Sequence, residues 1–154
     1  MQSVSGRSAR GSDGPDGKLR GMNWLVKEEP SHYHFDQFLR EGTTSWSGVR
    51  NALAQKHLRA MQAGDRVFYY HTGDEKAVVG TARVASPPVP DPADTTGKLF
   101  LVDLAAEAPL RHSVSLAAIK ADARFREFAL VRLPRLSVMP VNDEQWTQIM
   151  EMAK

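Results

Sequence analysis

The chain has no cysteine. Disulfides, thiolate metal sites and cysteine nucleophiles are excluded together. No apolar run approaches the roughly 18 residues that a membrane-spanning helix needs, and no secretory h-region stands near the start. The basic, serine-containing beginning is too rich in glycine and aspartate for an amphipathic transit helix. The expectation is a cytoplasmic protein with no membrane attachment. Common catalytic signatures are missing as well: GxxxxGK[ST] and GxGxxG, GxSxG and HExxH. The five histidines are scattered. His32, His34 and Asp36 form the one grouping that hints at a metal, but no strong fourth ligand stands near, so it reads as a surface loop. Enzymatic chemistry therefore has little to start from.

Excess charge on the folded part is missing too. The whole chain carries a net +2 with a pI near 9.0. Residues 1–21 hold four basic and two acidic side chains, and the remainder holds sixteen of each. The basic pI is thus no argument for a nucleic-acid partner, because an electrostatic binder carries its charge on the folded domain. Recognition of nucleic acid here has to lean on a local patch or a pocket.

What is present is one domain. The chain has 154 residues, of which 42% are apolar, enough for one proper core and short for two. Residues 1–21 are glycine, serine and charge, a composition that cannot offset its ordering entropy, so they read as a disordered tail. Met22 stands as an alternative start. The folded domain is expected over 22–154.

Periodicity supplies the elements. NWLVKE (23–28) reads as a strand, with Trp24 and Val26 on one side and Leu25 and Lys27 on the other. Phe35, Phe38 and Leu39 suggest a short helix over 35–40. SWSGVRN (45–51) reads as a loop. Ala54, Leu58 and Met61 mark a helix over 51–61, stopped by Gly64. RVFYYH (66–71) and AVVGTARVAS (77–86) read as a hairpin about the turn TGDEK. The proline-rich 86–94 reads as a surface loop. KLFLVDLAAE (98–107) reads as a buried strand, 115–129 as one or two short helices, and RLSVMPV (135–141) as a last extended segment. Asn142 and Gln145 form a capping box for a final helix, with Trp146, Ile149, Met150 and Ala153 as its apolar stripe. The sum is an α+β domain with a small curved or barrel-like sheet, since long helical crossovers do not alternate with the strands.

Four stretches together resemble the EVE domain of the PUA-like superfamily: WLVKEEP (24–30), WSGVRN (46–51), GDRVFYYHT (64–72) and RLSVMPV (135–141). AVVG (77–80) and PDP (90–92) fall between them in the expected order. Each motif is short; six in order make a specific match over 22–154. Two departures stand out. The family's usual KSEP is Lys27-Glu28-Glu29-Pro30 here, and the often acidic position after Trp46 is Ser47. Strand alternation puts Lys27 and Glu28 on opposite sides, so only one of them lines a pocket.

The resemblance implies a PUA-like fold and a non-catalytic reader, without cofactor or metal, that binds a modified nucleobase in RNA or DNA as a monomer. It places Lys27, Glu29, Trp46, Gly48, Val49, Arg50, Asn51, His71 and Ser137 around one cavity. A base taken out of its stack needs an aromatic wall and partners for its Watson–Crick edge. Trp46 is either that wall or a core anchor. Gly48 allows close backbone approach or simply makes a turn. Arg50 grips a phosphate or lies in solvent. Asn51 pairs with a base edge or caps the helix that follows. Lys27 pairs with Glu29 at the mouth, or both lie in water. His71 and Ser137 reach a ligand or are satisfied within the fold. A nuclease or hydrolase on the same scaffold, and a small-molecule or protein-interaction module, are the competing functions.

Overall fold

The computed structural model describes residues 22–154; the expected tail, 1–21, lies outside the described residues. Strand β1 is Asn23–Glu28 and β3 is Arg66–His71, and they pair in parallel from Asn23↔Arg66 to Glu28↔His71. The 66–86 hairpin forms as expected, with β4 (Ala77–Val84) antiparallel to β3. Strand β6 (Phe100–Ser115) pairs with β4 and, on its other edge, with β2 (Thr43–Trp46); β7 (Val138–Val141) closes the path beside β1. The order is β2-β6-β4-β3-β1-β7, and the two-residue β5 (Val89–Pro90) adds to β6.

Alternation along this sheet gives it two apolar faces. On one, Tyr69 meets Phe35, Phe38 and Trp46 at ring separations of 5.2–5.6 Å. Helix α1 (Phe35–Glu41) and helix α2 (Ala52–Ala60), whose His57 touches Trp24, cover that face. On the other, Phe68 stacks on Trp146 of helix α5 (Asp143–Met152) at 3.7 Å. Short helices α3 (Leu116–Lys120) and α4 (Ala129–Arg132) flank a 3-10 turn, Ala123–Phe125. The capping box of α5 is formed as read: Asn142 accepts from the Gln145 N–H and Gln145 accepts from the Asn142 N–H.

Four expectations need correction. Ser45 and Trp46 belong to β2, not to a loop, because Ser45 and Trp46 pair with Asp103 and Val102. Strand β6 runs on to Ser115, eight residues past the expected end, because register shifts against β4 absorb Pro109 and the polar run after it. Within the proline-rich loop, Val89–Pro90 still pairs, at a sheet edge where proline is tolerated. Met150 is exposed and drops out of the apolar stripe of α5.

Candidate functional site

A cavity of about 260 Å³ opens where the end of β1, the 29–34 turn and the end of β2 meet. Glu28, His32, Tyr33, Thr44, Ser45, Trp46 and Ser47 line it. Its size is below the roughly 300–1,000 Å³ of drug-sized sites, so it suits a single small ring system.

The polar groups come from known positions in the fold. Glu28 shares the β1 face of Trp24 and Val26, two residues on, which turns it toward Tyr69 and Trp46. His32 Nδ1 pairs with Glu28 Oε2. Glu28 Oε1 has no hydrogen-bond partner among the described residues. Trp46 is 7% exposed, with its ring nearly perpendicular to that of Tyr69. Its indole N–H also has no acceptor among the described residues. Gln148 Oε1 is the one buried side-chain oxygen or nitrogen there without a partner, so the Trp46 N–H and Glu28 Oε1 are both reached by solvent. Two residues that line the cavity thus keep an unpartnered polar atom, a donor on Trp46 and an acceptor on Glu28. Tyr33 and His32, half-buried and exposed, add two rings to the lining.

The tyrosines hold the floor. The Tyr69 hydroxyl donates to the Tyr33 carbonyl at 2.6 Å, and burial, with Glu28 nearby, pushes its pKa well up. The Tyr33 hydroxyl donates to Glu41. Burial first, then that bond, raises the Tyr33 pKa, and the Glu41 carboxyl is held below its usual range by the same bond. Both phenols stay protonated at neutral pH.

The structure divides the sequence-derived site residues. Trp46 alone of the nine lines this cavity, and it is mostly core. Lys27 lies on the opposite face of β1. Its amine donates to the Pro134 carbonyl at 2.9 Å and sits over Tyr70, and burial lowers its pKa. The expected partner, Glu29, is exposed instead, accepting from Ser31 and Thr72. Val49 is a core anchor whose carbonyl accepts from buried Gln55. Gly48 turns the chain at φ +75°, in open space. Arg50 is exposed. Asn51 caps α2 by accepting from the Ala54 N–H, so its side-chain oxygen is taken. His71 is buried: Nε2 accepts from the Phe35 N–H at 3.1 Å, which leaves Nδ1–H to donate to Glu75 at 2.7 Å. Both ring nitrogens are used by the fold. Ser137 lies beside Lys27, and its carbonyl accepts from the Lys27 N–H.

Glu28, His32, Tyr33, Thr44, Ser45 and Ser47 line the cavity without having been among the sequence-derived candidates. Glu28 carried a signal, as the departure from KSEP. Thr44 carried a weaker one, two residues before Trp46. Nothing in the order of residues places the 29–34 turn over the end of β2.

A second opening, of about 330 Å³, lies between the start of α2 and the segment before β7, and Asn51 lines it. The two openings flank one short loop, 47–51. Gln55 pins that loop, donating to the Val49 and Phe100 carbonyls and accepting from the Phe100 N–H.

Comparison with known proteins supports the architecture. The EVE domain model matches residues 22–152. A solved protein from Rhodopseudomonas palustris is 44% identical, with a TM-score of 0.82, over 86% of this chain and 92% of that one. The human THYN1 protein is 23% identical, with a TM-score of 0.79, over 86% of this chain and 98% of that one, and shares the fold. Chicken thymocyte nuclear protein 1 is 32% identical across 52% of this chain, an alignment that takes in 38% of that protein's length. With the family model matched across the folded region, this chain belongs to the EVE domain family.

Proposed function

We propose that this chain is a non-catalytic nucleic-acid-binding module that takes one modified base into the cavity beside Trp46. The observation that carries the reading is a space sized for one ring, lined by Trp46 and Glu28, each of which keeps one polar atom without a partner among the described residues. A nucleobase edge alternates donors and acceptors, and a carboxylate suits an exocyclic amine such as that of cytosine. Tyr33 and His32 supply faces on which an unstacked base recovers part of its lost stacking, about 1–3 kcal/mol per base. The human THYN1 neighbour is described in complex with 5-methylcytosine-containing DNA, which supports methylated cytosine as the first base to try. DNA and RNA strands both fit this chemistry.

One observation favours a second reading. No lysine or arginine lines the cavity, and its one carboxylate is Glu28. A small amine-bearing molecule would suit such a site without any strand attached.

Glu28→Gln separates specific reading from general attraction. It keeps the shape of the side chain and removes its charge. We expect affinity for a single strand carrying 5-methylcytosine to fall about tenfold, with the thermal midpoint unchanged. Trp46→Phe, which keeps a core ring but deletes the N–H, should lose affinity by a smaller factor. Fluorescence anisotropy with plain and methylated strands reads both variants. Equal binding of the two strands by the wild type, or an unchanged affinity in Glu28→Gln, sinks the base-reading assignment. Tight binding of the free nucleoside with no gain from the strand would establish the small-molecule reading instead.

A further inference from the structure

A cavity without lysine or arginine does not hold a phosphate backbone, so a strand whose base enters it needs a second seat. We infer that the opening lined by Asn51, Leu53, Arg132, Leu133, Arg135 and Leu136 is that seat, a cleft for the nucleotide next to the one being read. The inference rests on the base-binding reading for its geometry, but its own chemistry is independent of it.

Three features of the cleft point to a nucleic-acid strand. Its floor is apolar and open: Leu53 and Leu133 are 39% and 45% exposed, and they are two of the five large hydrophobic side chains that the described residues leave exposed. An apolar floor of that kind takes a base or sugar face. Its rim is cationic. Arg132 and Arg135 line it, and no acidic residue does. Arg135, and Arg50 beside Asn51, have no ion pair or hydrogen bond among the described residues, while Arg132 meets only the exposed Glu127. Guanidinium groups with no carboxylate to satisfy them are matched by phosphate oxygens, which they bind in fork geometry. A cationic ligand is repelled, and an uncharged apolar one leaves the arginines unused.

The third feature is position. Ser47 lines the base cavity and Asn51 lines the cleft. Four peptide steps separate them, so their Cα atoms are at most about 15 Å apart. A strand that leaves a base at Trp46 passes the loop 47–51 and Arg50 before it meets Leu53. Both walls are already fixed. Asn51 caps α2, and Gln55 holds the loop. Across the cleft, Lys27 ties down the Pro134 carbonyl, and its N–H bonds the Ser137 carbonyl. Binding there orders little that is not already ordered. Lys27 thus acts for the strand seat from the far side of β1, as a positioning residue.

The test compares the full chain with Arg132→Gln/Arg135→Gln and with Leu133→Ser. All three substitutions are at exposed positions, and circular dichroism checks the fold. The probes are a short single strand with one 5-methylcytosine, its plain twin, and free 5-methyl-2′-deoxycytidine, titrated across a salt series. For the double arginine variant we expect both strands to weaken about tenfold. The slope of log affinity against log salt should become shallower by about 1.4, from two lost single-strand contacts at about 0.7 each. The ratio between the strands and the nucleoside affinity should stay unchanged. Leu133→Ser should weaken both strands with the slope kept. Wild-type affinity and slope in the arginine variant overturn the cleft, whichever strand is preferred. Equal binding of the two strands by the wild type, with the slope still falling in the variant, removes the base reading and supports the cleft. Binding of neither strand overturns both.

Discussion

Asp65→Ala will lower stability by about 3–4 kcal/mol, a fall of roughly 10–15 °C in the thermal midpoint for a domain of this size. Asp65 is buried, 1% exposed, in the turn that leads into β3. Its Oδ1 accepts from the Met22 N–H at 3.0 Å, and its Oδ2 accepts from the Trp24 indole N–H and the Gln62 N–H, both at 2.9 Å. Alanine leaves three donors without their acceptor, and the Trp24 indole is sealed from water. The effect reaches beyond those bonds. Strands β1 and β3 are parallel, so no hairpin turn fixes their register. Asp65 does it instead, joining the residue before β3 to the residues that begin β1, beside the Arg66 N–H to Met22 carbonyl bond. A slip of one residue would exchange the faces of Lys27 and Glu28, moving a cation into the cavity and the carboxylate out. Asp65→Asn, with one oxygen in place of two, should cost about half as much. Chemical denaturation measures both variants. A loss under about 1 kcal/mol for Asp65→Ala would mean that other contacts set the register.

The elements were legible where local pattern decides them. RVFYYH and AVVGTARV became β3 and β4 because aromatic and β-branched residues flank a glycine-containing turn. The caps at Asn51 and Asn142 were legible because one side chain and one backbone N–H three residues on make the whole interaction. The far end of β6 was not. Pro109, Arg111 and His112 look like loop, and only the bulged pairing with β4 carries a strand through them. Trp46 was read as loop for the same reason: four residues of TTSW become a strand only because β6 passes beside them.

The site was legible in its motifs and not in its grouping. SWSGVRN was singled out, and the loop does hold both openings together. Its residues divide, however, because the chain turns at Gly48 and Val49 anchors in the core. Trp46 faces one opening and Asn51 the other. Alternation showed that Lys27 and Glu28 point apart, but which one meets the cavity depends on which face α1 covers, a tertiary fact. His71 looked available because sequence does not reveal that the start of α1 donates to it. Of the two readings of Trp46, wall or core anchor, the structure favours the anchor: its ring is 7% exposed and packed on Tyr69, while the residue still lines the cavity.

Gly80→Ala should destabilise the fold by about 3 kcal/mol, against the usual sign. Gly80 has no left-handed backbone to protect, since it is absent from the positive-φ glycines. At such a position alanine ordinarily stabilises by about 0.4–1 kcal/mol, by restricting the unfolded chain. What forbids it here is a ring. A Cβ on Gly80 would stand 2.2 Å from Phe35 Cζ and 2.3 Å from Phe35 Cε2. The ring has nowhere to go: Phe35 is buried, packed between Phe38 and Tyr69, and its backbone N–H is held by His71. The glycine of AVVG thus exists for Phe35. The same packing supports the cavity, because Tyr69 carries the Tyr33 carbonyl on its hydroxyl. A displaced Phe35 pushes on Tyr69 and, through it, on Trp46 and Tyr33, which line the cavity. Gly80→Ala should therefore weaken strand binding as well as stability, while Arg132→Gln/Arg135→Gln weakens binding alone. The pairing with Phe35 is tested by a cycle. Phe35→Leu alone removes buried ring area and costs about 1–2 kcal/mol. In the double variant the smaller leucine makes room for the new methyl, and the combined loss should fall short of the sum by at least about 1 kcal/mol. Strict additivity would place the obstruction elsewhere than Phe35, and a stabilised Gly80→Ala would show that the ring yields without cost.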